Sequence, residues 1–458
     1  MMGYALGIDI GTTSISIVVI DCASGELRKS KTVNHHAFLQ GHIPASRIQN
    51  PEKLTNITLE VVKELTEEYG KPECIGLTGQ MHGMLYVDVH GNAVSPLYIW
   101  QDGCGNEQIE DGRTYAEALK ETGGASASGF GLITHFYLQK NGMIPENAVQ
   151  MVTISDYLGM KLCGRKNAVA AKDMAASWGC FDLENGKFFY EKLKAAGVDI
   201  SYIPEVMMEH NIMGYGIIHG IENVPVIVSL GDNQASVIGS VQDMCETLLI
   251  NVGTGSQVSV GTAGYHACSG SVELRPCTGN VSLLVGSSLC GGRAYAMLEQ
   301  FYRAAGGVED ELYSRMEQQA RLFLKEKGPD AVWKVKTSFA GTRSNPEEKG
   351  SILGIDVENF HPGAMTLGII HGILEELHEM YILMCEKTGK KAEKLVASGN
   401  GIRKNTLMQE MAEEMFGMKL QIPVCREEAA YGAALHAMAA AGITESLEAA
   451  QKKIQYCE

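Results

Sequence analysis

The chain has 458 residues, of which 45% are hydrophobic and 20% charged. That balance excludes disorder and collagen-like structure, and the length predicts two or three domains. Its formal charge of −16 argues against a nucleic-acid partner and against docking on an anionic membrane surface.

Positive potential for an anionic ligand must therefore be local, from backbone N–H groups, a metal ion or a few bases. The 12 cysteines contain no CxxC pair, and the closest two are Cys268 and Cys277. Zinc and thioredoxin spacings are absent, so reduced thiols in a cytoplasm are expected. The start MMGYALGIDIG lacks a charged n-region and a long apolar stretch, so it does not read as a signal peptide. The most apolar helix candidate, Ala429 to Ile443, is 15 residues long and too short to span a bilayer. A soluble cytoplasmic protein is expected.

The chain opens as a strand meander. Tyr4 to Asp9 is apolar and runs into Gly11-Thr12-Thr13. Ser14 to Asp21 is a second strand, Ala23-Ser24-Gly25 a turn, and Glu26 to Val33 a third strand. Asn50-Pro51 opens a helix with Leu54, Ile57, Val61, Val62 and Leu65 on one face. Cys74 to Thr78 is a short buried strand. Downstream, Gly363 to Thr388 predicts a long helix and Lys394 to Ala397 a strand, followed by the turn Ser398-Gly399-Asn400-Gly401. Asn405 to Phe416 is a helix, Met418 to Ile422 a strand, and Glu427 to Ala441 an Ala-rich helix. The pattern is α/β.

An internal repeat organises these elements. Residues 8–14 read IDIGTTS and residues 250–256 read INVGTGS, at an offset of 242. Each copy is a strand, a Gly-Thr turn and a second strand. Two such loops suggest a duplicated architecture with a ligand between the halves. The plainer alternative is two unrelated hairpin turns. The copies differ where Asp9 becomes Asn251. A single carboxylate fits one Mg²⁺, which favours oxygen ligands completed by water and phosphate.

Four constellations carry chemistry. In Asp9-Ile10-Gly11-Thr12-Thr13, glycine lets the backbone approach phosphate, and N–H groups and hydroxyls can donate to it. Neither a Walker loop nor an early GxGxxG is present. In PVIVSLGDNQA, residues 225–235, an apolar strand delivers Asp232 and Asn233 beside Gly231. Asp232 reads as the general base of a kinase, or alternatively as a helix N-cap. Gly79-Gln80-Met81-His82-Gly83 offers hydroxyl-directed hydrogen bonds and an apolar wall, and the bland alternative is a buried histidine. Asp88 to Asn92 reads as a hairpin turn rather than a metal site. Tyr98-Ile99-Trp100-Gln101-Asp102 sets an aromatic ring beside a carboxamide and a carboxylate, which suits a sugar but equally an ordinary packed Trp.

Taken in order, GIDIGTTS, GQMHG, WQD, GDNQA, NVGTGS, SGNGIRKNTLMQEMAEEMFG and EEAAYGAALHA resemble the FGGY family of carbohydrate kinases, within the actin-like ATPase superfamily. The resemblance covers essentially the whole chain. Ser128-Gly129-Phe130-Gly131, ISDYLGMKLCG, Asp173 with AASWGCF, and GDNQASV resemble the branch that phosphorylates sedoheptulose. GQMHG and GDN are shared with xylulose kinases.

The resemblance implies an α/β fold of two actin-like (ribonuclease H-like) domains with an intervening active-site cleft. Residues 1–244 would carry the sugar site, the first phosphate hairpin and the catalytic Asp, and residues 245–458 the second hairpin and the nucleoside site. It implies ATP-dependent phosphorylation of a ketose terminal hydroxyl, with Mg²⁺ near Asp9. Asp232 would be the base. Gln80, Met81, His82, Trp100, Asp102, Asp232 and Asn233 would line the sugar site. Thr12, Thr13, Gly253 and Thr254 would meet phosphate groups. Gly399, Asn400 and Asn405 would lie beside the nucleoside. A homodimer is a family-level implication.

Two departures stand out. Gly103-Cys104 replaces an expected Gly-Arg after WQD, which removes a positive donor, and Gly399-Asn400-Gly401 replaces a triple glycine, with Asn400 expected to tolerate a left-handed turn. The alternatives are a pentulose or polyol kinase, a non-catalytic actin-like nucleotide switch, and a degenerate sugar sensor.

Overall fold

The computed structural model describes residues 3–457 except 208–210, 219, 269, 343, 344 and 346. The chain divides into two compact units. The first comprises Met1–Gln242, Arg275–Val281 and Glu427–Ile454, and the second Asp243–Leu274, Ser282–Arg426 and Gln455–Glu458. This differs from a single cut at 244/245, because the chain returns to the first unit twice.

The first unit is built on a seven-stranded sheet. Its strands are β1 (Tyr4–Ile10), β2 (Ser14–Asp21), β3 (Leu27–Asn34), β4 (Cys74–Gly79), β5 (Ile212–Ile218), β6 (Ile221–Ile227) and β7 (Leu230–Gly231). The order is β5-β6-β4-β1-β2-β3, with β7 also paired to β4. β1 and β2 are almost wholly buried, which is why they read as near-continuous apolar runs rather than alternating ones. The helix Pro51–Tyr69 begins as expected: Asn50 Oδ1 accepts from Lys53 N at 3.0 Å, and Pro51 occupies the first turn. Its Leu54, Val61, Val62 and Leu65 join Ile8, Ile10, Ile15 and Ile17 in one core.

The helix Glu428–Ala440 explains the second return of the chain. A Cβ on Gly7 would lie 1.8 Å from Ala430 O, and one on Gly76 would lie 1.9 Å from Ala433 O. Glycines on β1 and β4 and alanines on the helix thus permit backbone-to-backbone approach. The Ala-rich composition that marks this segment is a packing requirement of the first unit's sheet.

Register decides where function can sit. β1 and β4 are parallel with Ile10 opposite Gly79, and β7 and β4 are parallel with Gly231 opposite Gly79. The three strands end in line, so the loops that follow share one edge of the sheet. Ligands of open α/β sheets collect at such carboxyl ends.

The second unit repeats the plan. Its strands are β8 (Thr247–Val252), β9 (Ser256–Ala263), β10 (Val272–Pro276), β11 (Val281–Ser288), β12 (Lys394–Ser398) and β13 (Leu420–Gln421), in the order β10-β11-β9-β8-β12-β13. β8 is antiparallel to β9 and parallel to β12, as β1 is to β2 and β4. Asp9 faces Thr78 across the first pair, and Asn251 faces Ser398 across the second. The sequence repeat is therefore a repeat of register. A 27-residue helix, Pro362–Thr388, is the predicted long one, ending at left-handed Gly389.

Three local expectations need correcting. The strand expected over Met418–Ile422 is only Leu420–Gln421. After β12 the left-handed residue is Gly399, at φ 86°, while Asn400 starts a helical turn, Asn400–Arg403. A Cβ on Gly399 would lie 2.6 Å from Val252 O, so glycine is needed there on two counts. Asp232 is the first residue of the helix Asp232–Ser240, and its N-cap is Gly231. Asp88 to Asn92 is a hairpin turn as expected, with Asp88 Oδ1 accepting from His90 N and Asn92 N at 2.9 Å each. All 12 cysteines are free thiols. Among the described residues, no helix is long and apolar enough to cross a membrane.

Candidate active site

The shared edge of β1, β4 and β7 carries most of the residues singled out in the first unit. Asp9 is the penultimate residue of β1. Its Oδ1 is inaccessible to solvent and has no hydrogen-bond partner among the described residues. Burial, then the neighbouring Asp232 and Glu427 carboxylates, push its carboxyl up to about 8. Such a carboxylate is stabilised by a cation. Among the described residues no three His, Cys, Asp or Glu side chains converge as a cage. One carboxylate completed by water and phosphate suits Mg²⁺.

The Gly11-Thr12-Thr13 turn follows. Gly11 N donates to Ser14 O at 3.0 Å, which closes the turn. Thr13 is exposed and Thr12 half-exposed. A relay of two amides ties this turn to the loop after β4. Gln80 Nε2 donates to Gln49 Oε1 at 3.0 Å, and Gln49 Nε2 donates to Thr12 O at 2.7 Å. Gln80 is buried, and its Oε1 is left without a partner among the described residues.

His82 is half-buried in the loop after β4. Its φ is 71°, a left-handed conformation that costs a non-glycine residue about 1–3 kcal/mol. Its backbone N donates to Ser177 Oγ at 3.0 Å, and its ring stacks on Phe130 at 4.3 Å. Nδ1 lies 2.6 Å from Ser177 O. A carbonyl can only accept, so Nδ1 carries the proton. The ring is thus fixed in orientation and tautomer, as a residue meeting a ligand must be. Met81 is buried against Gly231, where an added Cβ would lie 2.7 Å from its sulfur.

Asp232 follows β7 and is held from behind by two carboxylates that motif reading did not assign a role. Asp173 Oδ2 accepts from Gly231 N at 2.8 Å. Asp156 Oδ1 accepts from Ser229 N at 3.0 Å, while its Oδ2 accepts from Thr153 Oγ1 at 2.9 Å. Both are fully buried. Burial raises the Asp156 carboxyl to about 6, against the lowering effect of those hydrogen bonds. Asp232 Oδ1 accepts from Asn233 N at 2.7 Å. Burial raises the Asp232 carboxyl, and the Asn233 N–H and the Arg275 guanidinium oppose that rise.

Trp100 and Asp102 part company. Trp100 is 46% exposed, and its Nε1 donates to Thr12 Oγ1 at 3.0 Å, so its ring remains available as a platform. Asp102 is 1% exposed. Its Oδ2 accepts from Ser46 Oγ at 3.0 Å and Arg47 N at 2.8 Å, and its Oδ1 from Cys104 N at 3.0 Å. Asp102, expected at the sugar site, thus has its carboxylate bonded to the loop that presents Trp100. Cys104 is fully buried, so an arginine could not point outward from that position on this backbone.

In the second unit, the Gly253-Gly255 turn sits where Gly11-Thr13 sits in the first. Gly253 O accepts from Gly292 N at 2.9 Å, and Thr254 O accepts from Arg293 N at 3.0 Å. Thr254 and Asn400 are exposed. Asn251, the counterpart of Asp9, spends its Nδ2 on Ser398 Oγ at 2.7 Å. Asn405 is 5% exposed and caps the helix Thr406–Phe416 through Met408 N at 2.9 Å. Its amide oxygen is therefore committed to the helix.

Comparison with known proteins agrees with this architecture. The N-terminal domain of the FGGY family of carbohydrate kinases matches residues 4–239, and the C-terminal domain matches residues 248–441. Sedoheptulokinase of Mus musculus is 28% identical over 94% of this chain and 96% of its own length. Xylulose kinase of Staphylococcus xylosus is 24% identical over 95% of this chain and 90% of its own. The crystal structure of gluconate kinase from Lactobacillus acidophilus superposes with a TM-score of 0.86 at 18% identity, covering 100% of this chain and 93% of that one. The ligand-bound xylulose kinase from the same organism gives a TM-score of 0.84 at 18% identity, covering 100% and 93%. A duplicated strand–turn–strand frame, an aspartate at its carboxyl edge and matches across both halves have one meaning: the chain belongs to the FGGY family of carbohydrate kinases, phosphotransferases that act on sugar hydroxyls.

Proposed function

We propose that the protein transfers the γ-phosphoryl group of ATP to the terminal hydroxyl of a ketose, converting sedoheptulose to sedoheptulose 7-phosphate. The observation that carries the reaction is Asp232, the first residue after β7 at the edge where β1, β4 and β7 end together. Its carboxyl, raised by burial, is a stronger base than a solvated aspartate. It takes the proton of the substrate hydroxyl as that oxygen bonds to the γ-phosphorus and the bond from that phosphorus to the leaving ADP oxygen breaks. A modest base suffices, because phosphoryl transfer depends mainly on positioning and charge stabilisation.

The other roles belong to the same reading. Gln80, Met81, His82, Trp100 and Asn233 bind and orient the sugar. Thr12 and Thr13 face the transferred phosphate. Gly253, Thr254, Gly399 and Asn400 serve the nucleotide, with Asn405 supporting it through its helix. Asp9 holds Mg²⁺, which when bound neutralises phosphate charge. The cytoplasm is the expected location. Sedoheptulose is favoured by the similarity to the mouse and human sedoheptulokinases. Xylulose is the second reading, supported by the similarity to xylulose kinases.

The test is ADP release with ATP and Mg²⁺ across sedoheptulose, D-xylulose, D-ribulose, L-ribulose, glycerol and no sugar. Sedoheptulose should give the highest kcat/KM. A preference for xylulose would move the substrate, and sugar-independent ADP release would favour a nucleotide switch.

A further inference from the structure

The residues assigned above to the sugar include no cation. One is supplied from far along the chain. Arg275 lies near the end of β10, where the short segment Arg275–Val281, running from the end of β10 to the first residue of β11, groups with the first unit. The segment is anchored where the chemistry sits: Gln234 Nε2 donates to Pro276 O at 2.9 Å. Gln234 is fully buried and lies two residues after Asp232. A Cβ on Gly231 would lie 2.5 Å from Gln234 Oε1 and 2.7 Å from Met81 Sδ, so Gln234, Met81 and the Asp232 turn form one packed group. Cys277 N donates to Val281 O at 3.1 Å, closing the hairpin, and Pro276 and Cys277 are buried. Arg275 itself is half-buried. Its guanidinium is close enough to Asp232 to favour the ionised carboxylate.

We propose that Arg275 is a specificity-determining residue of the sugar site, its guanidinium donating to the hydroxyl or carbonyl oxygens of a neutral polyhydroxy ketone beside Asp232. This rests on the kinase reading above. A planar guanidinium presents several donors in fixed directions, which suits vicinal oxygens better than a point charge does. The neutral class follows from local charge. Asp9, Asp232 and Glu427 interact with one another or with this arginine, so a sugar acid would add another negative charge to the group.

The experiment compares wild type, Arg275→Lys and Arg275→Gln. Steady-state kinetics use sedoheptulose, D-xylulose and gluconate, and calorimetry measures each sugar and ATP separately. Arg275→Gln should raise the KM for the accepted ketose about tenfold to a hundredfold, the loss expected for a charged hydrogen bond. ATP affinity should stay within about twofold, and Arg275→Lys should recover part of the loss. An unchanged ketose KM in Arg275→Gln, or an equal loss of ATP affinity, would overturn the assignment. Gluconate as the preferred substrate of wild type would overturn the neutral class. Calorimetry separates the two readings. Wild type that binds a ketose without phosphorylating it, with binding lost in Arg275→Gln, upholds Arg275 and refutes the kinase function. Wild type that binds no ketose refutes both.

Discussion

Trp100 Nε1 donates to Thr12 Oγ1 at 3.0 Å, across 88 residues of sequence. One bond thus ties the aromatic platform to the first phosphate turn. Sugar seated on the indole and phosphate seated on Thr12 are held in one frame. Trp100→Phe keeps the ring and removes the donor. It should lower kcat/KM by about threefold to tenfold, the worth of one hydrogen bond. Trp100→Ala should cost more, with most of the excess in sugar KM. Equal kinetics for Phe and Trp would show the bond to be idle.

Asp232→Asn should leave ATP binding intact and lower sugar-dependent turnover by about 10²–10⁴, the usual contribution of a general base. The amide oxygen can still accept from Asn233 N, so the fold should survive. Calorimetry with ATP beside a coupled ADP assay reads both quantities. Turnover within about threefold of wild type would remove Asp232 from proton transfer.

Asp9→Asn places at the first repeat the residue that the second carries naturally at Asn251. An amide cannot offer Mg²⁺ a charge. The Mg²⁺ concentration for half-maximal rate should rise by at least the about 10–100-fold typical of lost outer partners of a metal. The melting temperature at pH 7 should not fall, because the variant also removes a buried acid. An unchanged Mg²⁺ requirement would place the metal elsewhere.

Asp156 gives a pH test. Burial pushes its carboxyl up to about 6 in the fold, from an ordinary value of 3.8. Between those values the native state binds the proton and the unfolded state does not. The native state is therefore favoured at low pH, and this contribution is lost as pH rises toward 6. One pKa unit corresponds to about 1.4 kcal/mol, which sets the scale. Asp156→Asn should flatten the fall in melting temperature between pH 4.5 and 7. Parallel curves for the two proteins would mean that Asp156 is ionised throughout.

Cys104→Arg tests whether the missing cation after Trp100-Gln101-Asp102 can be restored. Cys104 is fully buried and its thiol is pushed up by burial. A guanidinium there lacks water and should destabilise the protein by more than about 2 kcal/mol. A stable variant with improved sugar KM would show that the loop can turn its side chain outward.

The strand ends, the repeat and Asp232 were legible in the sequence because each is local: an apolar run, a glycine, then a polar residue. What was not legible depends on residues far apart. Asp173 supports Gly231 from 58 residues away, a bond that the stretch around it does not announce. Ser177 fixes His82 from 95 residues away. The bonds of Asp102 were hidden for a different reason. An aromatic followed by a carboxamide and a carboxylate has the same letters whether the carboxylate faces a ligand or, as here, the N–H groups of Arg47 and Cys104. The C-terminal family domain matches as far as residue 441, yet Glu427–Ile454 packs with the first unit, because helical periodicity does not say which sheet an Ala-rich face will cover.

The return of that helix has a consequence for how the protein comes into being. During synthesis β1 emerges first, yet Gly7 and Gly76 present an uncovered strip of sheet until Ala430 and Ala433 arrive more than 350 residues later. The unit that begins first is therefore completed only near the end of synthesis, and all but the last few residues of the second unit must leave the ribosome while its elder neighbour waits, partly bare, for its final layer.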